Sequence, residues 1–173
     1  TFEVNGDDWG VLRIDAALAD LTQPTDVYLA ITDTEGGKQL TVEGDITPFK
    51  KEGREFKDDV DLAISINQYP LDIAEYFIGN IISNTIGQFD ASVQLNGKLK
   101  KPNLGGTIRI YDSALTINYL QTRYRIEESV TQVSNTLFDS SGGVLIDSLG
   151  NKAYVYGGIS HNHLRDFGLA AEI

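Results

Sequence analysis

Two histidines, His161 and His163, stand in the run Ser-His-Asn-His-Leu-Arg-Asp, and the chain has no others. At i and i+2 of a strand they would share a face and could hold a metal, with Asp166 as a third ligand. They fall between two alternating runs, however, where a polar hairpin turn is the plainer expectation, and no metal or cofactor is assigned. Carboxylates cluster at Asp7-Asp8 and at Asp58-Asp59-Asp61. A glycosidase pair needs a cleft between its two acids, and these read instead as solvated loop or strand-edge charge. Asp147-Ser148-Leu149-Gly150-Asn151 opens like a Ca²⁺ loop but lacks the later bidentate Glu; it reads as a hairpin turn. There is no G-x-S-x-G elbow, phosphate loop or H-E-x-x-H pair. Cysteine is absent, which removes thiolate ligands and a Cys nucleophile. The expectation is a protein that is not an enzyme.

The 173 residues argue for a single domain, 1–173. A net charge of −11 argues against a nucleic-acid partner, which would need a basic footprint, and against an anionic-lipid surface binder. No apolar run reaches the roughly 18 residues of a membrane-spanning helix. The chain opens on Thr1, so a processed product or a slice of a longer protein is expected. Ile, Val and Thr, with 8 Tyr, 7 Phe and 17 Gly, favour strands and turns over helices.

The elements follow from periodicity. In Gln88–Leu99, Phe89, Ala91, Val93, Leu95, Gly97 and Leu99 fall on one face, with polar residues on the other. That is a strand with one apolar and one wet face. Val60, Leu62, Ile64 and Ile66 alternate in the same way with Asp59, Asp61, Ala63, Ser65 and Asn67. So do Leu40, Val42, Gly44 and Ile46, then Val27, Leu29 and Ile31, and Val11–Leu18. Ile108–Ile110, Leu115–Ile117, Ala153, Val155, Gly157 and Ile159, and Phe167, Leu169, Ala171 and Ile173 complete the set. Turn chemistry appears at Thr34–Gly37, Lys101-Pro102-Asn103, Asp112-Ser113, Ser140–Gly143 and Ser148–Asn151. Ten to twelve strands joined by short turns predict an antiparallel meander. One stretch differs: residues 70–82 place apolar side chains at 71, 74, 77, 78, 81 and 82, a short helix that covers one end of the apolar face. A weak repeat relates Asp33–Lys38 to Asp147–Lys152. The apolar stripe either closes into a sandwich or barrel core or lines an open trough, and periodicity does not separate the two.

Three stretches from Tyr69 onward carry a family resemblance. They are Gly97-Lys98-Leu99-Lys100-Lys101-Pro102-Asn103-Leu104-Gly105-Gly106-Thr107-Ile108-Arg109-Ile110, Leu120–Ile126 with Thr122-Arg123-Tyr124, and Asp147–His161. In order and spacing they resemble the TamB family of translocation and assembly module subunits, in the AsmA-like group. Gln121 stands where that pattern has Gly, and Gly105 where it has a Ser-like residue. The resemblance implies a mainly β protein: one long curved antiparallel sheet curled into a half-open tube, the β-taco, with an apolar lining. It implies a periplasmic segment of an inner-membrane-anchored protein of Gram-negative bacteria. Such proteins carry phospholipid acyl chains between the membranes and work with an outer-membrane Omp85-type barrel, with nascent outer-membrane proteins as a further partner. The lining would then be Val60, Leu62, Ile64, Ile66, Phe89, Ala91, Val93, Leu95, Leu99, Ile108, Ile110, Leu115, Ile117, Ala153, Val155, Ile159, Leu169 and Ala171. Gly97, Gly106 and Gly157, in phase with that face, would permit curvature.

Overall fold

The computed structural model describes residues 2–4, 7–16, 23–33, 39–49, 56–98 and 100–173. The alternating runs become strands: β1 (Phe2–Val4), β2 (Asp7–Ala16), β3 (Thr25–Thr32), β4 (Gln39–Phe49) and β5 (Phe56–Pro70). After a helical connection come β6 (Ile82–Lys98), β7 (Lys101–Ile117), β8 (Thr122–Val133), β9 (Leu137–Asp139) and β10 (Val144–Ile146). The chain continues through β11 (Lys152–Tyr154), β12 (Tyr156–Ser160) and β13 (Gly168–Glu172). They form one 13-stranded sheet in the order β1-β2-β3-β4-β5-β6-β7-β8-β9-β12-β13, with β10 on β8 and β11 on β10. Every strand pair is antiparallel, and most join neighbours along the chain, as short connections favour. The path is open, because β1 and β13 do not pair.

The helical connection is shorter than its apolar spacing suggested. A 3₁₀ turn at Leu71–Ala74 leads into α1 (Glu75–Ile78), and Ile82 already belongs to β6. Gly79-Asn80 and the β-branched pair Ile81-Ile82 stop the helix. Glu75 secures it: its Oε1 accepts Thr85 N–H at 2.7 Å and Thr85 Oγ1–H at 2.6 Å. Among the described residues no helix is long and apolar enough to cross a membrane.

Two expected turns lie inside β7. Pro102 is the second residue of the strand, a place where a missing N–H is tolerated. Asp112-Ser113 is a bulge: the pairing with β6 shifts there, and Asp112 takes φ 47°. The flip explains how Ile108 and Ile110 share a face with Leu115 and Ile117 despite opposite parity. Neighbouring strands break at nearly the same level. Gln68 in β5 has φ 49° where the register shifts between Ile66 and Tyr69. Glu127 and Glu128 in β8 are consecutively exposed. Past β9, the Ser140–Gly143 segment stays paired to β12, with Ser140 N–H on the Gly157 carbonyl and Gly142 N–H on the Val155 carbonyl, both 2.9 Å. It too is a bulge within a long hairpin, not a hairpin turn. Bulges bend strands and increase twist, so this row creases the sheet across the strand direction.

The outer side of the crease is fastened by Asp90. Its Oδ1 accepts the Gln68 backbone N–H at 2.8 Å and the Tyr111 hydroxyl at 3.1 Å. Arg109 lies 5.4 Å from the Tyr111 ring centroid and pairs with Glu128 at 2.8 Å. Beside the crease, Gly87 has φ +105°, and a Cβ there would stand 2.2 Å from Ser113 Oγ and 2.6 Å from Ser113 Cα. A Cβ on Gly105 would meet nothing within 4 Å.

Gly87→Ala is therefore expected to destabilise the fold by about 2 to 4 kcal/mol. Gly105→Ala should change it by less than about 0.5 kcal/mol. Urea unfolding of the two variants measures both; equal losses would remove the crease from the account.

Candidate functional site

The largest continuous chemical feature is the apolar face. Buried residues form two clusters. One joins Tyr69, Leu71, Ile81, Ile82, Phe89, Ala91, Leu115, Ile117, Ile126, Leu145 and Val155. The other joins Val60, Leu62, Leu95, Leu104 and Val133. Val93 and Ile108 pack against both and make the face continuous. The structure brings most of the expected lining residues together here. Val60, Leu62, Phe89, Ala91, Leu95, Leu115, Ile117 and Val155 are buried, and Ile64, Ile66, Val93, Ile108, Ile110, Ala153, Ile159 and Ala171 are half-buried. Leu169 pairs with Ile159 but sits on the edge strand and is 41% exposed. Leu99 lies outside the described residues, as do the whole Thr34–Gly37 turn and all of the first copy of the repeat but Asp33. Gly97, Gly106 and Gly157 all take positive φ. Sequence reading missed Tyr69, Leu104, Ile126, Val133 and Leu145. Ile126 and Val133 stand on β8, whose apolar residues are too sparse to show alternation; Leu145 sits in the continuous run Val144-Leu145-Ile146, and Tyr69 and Leu104 lie outside the alternating runs of β5 and β7.

Among the described residues of β3–β12, the strand positions sharing this face include no Asp, Glu, Lys or Arg. Its polar members are satisfied in place. Ser113 Oγ donates to the Tyr111 carbonyl at 2.6 Å, and the Thr131 and Ser140 hydroxyls bond each other at 2.8 Å.

Charge lies on the opposite face. Asp26, Asp45 and Asp61 stand directly across from one another on β3, β4 and β5, and the row continues as Asn96 and Asn103 on β6 and β7. The three aspartates, with Tyr28, Glu43, Ala63 and Gln94, border a shallow open depression. The hydrogen bond to Asp26 and the surrounding acids raise the Asp45 carboxyl above its ordinary range. Asp59 is paired with Lys98. The side chains of Asp7, Asp8 and Asp58 lie outside the described set.

The histidines do not converge on a metal. Among the described residues no three His, Cys, Asp or Glu side chains could hold one. The 161–167 connection is a turn, as expected, but His161 is not a polar tip. It is 5% exposed and packs, with its ring tilted, against Phe138 at 4.6 Å and Phe167 at 5.9 Å. Its Nδ1 accepts the Leu164 N–H at 3.1 Å. This places the ring proton on Nε2, which is buried without a hydrogen-bond partner. Burial pushes the His161 pKa down, the Ser134 carbonyl acts in the opposite sense, and His163 adds to the lowering. The connection holds His163, Leu164 and Asp166 at positive φ, and His163 Nδ1 lies 3.3 Å from the Pro102 carbonyl. Asp147 caps its own hairpin turn: Oδ1 accepts the Leu149 and Asn151 N–H groups and Oδ2 the Asn151 amide, each at 2.8 Å. The Asn151 bonds hold its carboxyl below the usual range.

Comparison with known families, characterised proteins and solved structures found no match to this chain.

Two pH effects follow. His161 is kept neutral in the fold while the unfolded ring protonates below about pH 6.5. Stability should therefore fall as pH drops from about 6.5 toward the lower folded value, and His161→Phe should flatten that limb of a thermal-denaturation series. Asp45 has the opposite sign. Its pKa is raised first by the hydrogen bond with Asp26, then by desolvation and the repulsion of Asp26 and Asp61, so stability is lost as the carboxyl ionises. Asp45→Asn should raise the melting temperature at pH 7, with the gain shrinking in high salt and vanishing below about pH 4.

Proposed function

We propose that this chain is a non-enzymatic hydrophobic β-groove for phospholipid transport, a periplasmic segment of the TamB type working with an outer-membrane Omp85-type barrel. The observation that carries the reading is the charge-free apolar face, continuous through Val93 and Ile108. The resemblance of residues 97–110, 120–126 and 147–161 to that family supports it. A curled sheet offers such a face to acyl chains, and each methylene moved from water into an apolar lining gains about 0.8 kcal/mol. A chain of some fourteen carbons would gain on the order of 10 kcal/mol before entropy losses. A charge on the face would oppose this by several kcal/mol.

A second reading rests on the sheet edge. β13 pairs with β12 and with no other described strand, and such an edge can add a strand from an outer-membrane protein by β-augmentation.

The test is mass spectrometry of an organic extract from detergent-free protein. Phospholipid near one per chain is expected, together with its loss in Val93→Arg while circular dichroism keeps the strand signal. An empty, cooperatively unfolding wild-type monomer would overturn the groove reading. Partner binding retained in Val93→Arg would favour the edge.

A further inference from the structure

Large apolar side chains that the fold leaves in water gather at one end of the strands. Phe77 on α1 is 63% exposed, Tyr119 and Leu120 in the β7–β8 turn are 84% and 38%, and Leu149 in the β10–β11 turn is 85%. The register places these three connections at the same end, since Ile82 pairs with Ile117, Ile117 with Thr122, and Arg125 with Ile146. Asn118 joins the first two, donating its N–H to the Ile81 carbonyl and its side-chain amide to the Gly79 carbonyl, both at 2.9 Å. None of the four apolar side chains belongs to either core cluster.

The charge at this end differs from the rest of the chain. Its charged residues, on the connections and the strand ends that flank them, are Arg123, Arg125 and Lys152 with Asp72, Glu75, Glu127 and Asp147. Glu75 is bonded to Thr85, Glu127 to Arg125 at 2.9 Å, and Asp147 to its own turn. Three cations against four carboxylates leave this end at about −1, 3 − 4, on a chain of net charge −11.

We propose that this rim is a membrane-contact surface whose partner is the interfacial layer of a zwitterionic phospholipid bilayer. The four side chains project from three separate connections, an arrangement that suits a soft surface better than a peptide or helix seated in a groove. Turn backbones stay hydrated in a headgroup layer, while Phe, Tyr and Leu enter its apolar side. An anionic surface would repel the acidic chain; a zwitterionic one does not.

The contact is separate from the acyl-binding reading, so Val93→Arg should leave it intact. The probe is co-sedimentation of the full chain with phosphatidylcholine vesicles. The triple variant Phe77→Ser/Tyr119→Ser/Leu149→Ser should lower binding on the order of a hundredfold or more. Its melting temperature should hold, because all three sites are exposed. Tyr156→Ser, at an equally exposed position on β12, should leave binding unchanged. No wild-type binding, or binding only when anionic lipid is added, would overturn the proposal. Loss of self-association rather than of vesicle binding in the triple variant would overturn it in favour of a second copy of this chain.

Discussion

A sheet that is apolar on one face must hide that face from water, and this sheet has no second sheet stacked on it among the described residues. It has to shield itself. Straight strands of 17 residues, such as β6 and β7, would each run roughly 55 Å and leave their apolar sides open. The row of bulges through Gln68, Asp112 and Gly142 bends them instead. Residues on both sides of the bend, Phe89 and Ala91 with Leu115 and Ile117, then enter one cluster. The shielding is incomplete. Ile64, Ile66, Val93, Ile108 and Ile110 stay only half-buried.

The crease also sets where charge can stand. At the bend the outer face presents Asp90, Tyr111, Arg109 and Glu128 as one network over three strands, and Asp90 supplies the acceptor for the displaced Gln68 N–H. Away from the bend, the outward positions of residues 39–47, 59–67 and 88–98 are polar apart from Ala63. One consequence is the like-charged row Asp26, Asp45 and Asp61, a local cost that the apolar burial on the opposite face offsets. Toward the centre of the sheet the row changes to Asn96 and Asn103, whose side chains bond at 3.4 Å, so the repulsion is confined to β3–β5.

Strand alternation was legible wherever a strand keeps one phase, as in residues 60–66 and 89–97. It misled where a strand changes phase. Asp112-Ser113 has the composition of a turn because turns and bulges both ask for a left-handed backbone, which Asp tolerates. The parity of the apolar runs does not discriminate: a two-residue reversal at Asp112-Ser113 would set Ile110 opposite Leu115 and Ile108 opposite Ile117 on one face, as the bulge also does. The burial of His161 was not legible. Phe138, which its ring packs against, is 23 positions earlier and meets it only through the pairing of β9 with β12. Helical spacing over residues 70–82 located the covering segment but extended it by a turn, because Ile81 and Ile82 serve a strand equally well.

The two ends of the strands are sealed differently from their middles, and this bears on how an acyl chain would lie on the proposed reading. At one end the helical connection packs Leu71, Ile73 and Ile78 against the main cluster. At the other, Phe138, His161 and Phe167 pack together. Between them Ile64, Ile66, Val93, Ile108 and Ile110 stay half-buried, a strip that crosses β5, β6 and β7. With strands about 4.8 Å apart, such a strip lengthens with every strand added to the sheet, whereas a groove along the strands would stop at the sealed ends. A charge-free face with its free surface running across the strands therefore suits a conduit built by repetition, and Val93, where the two clusters meet, is the position at which one charge would interrupt it.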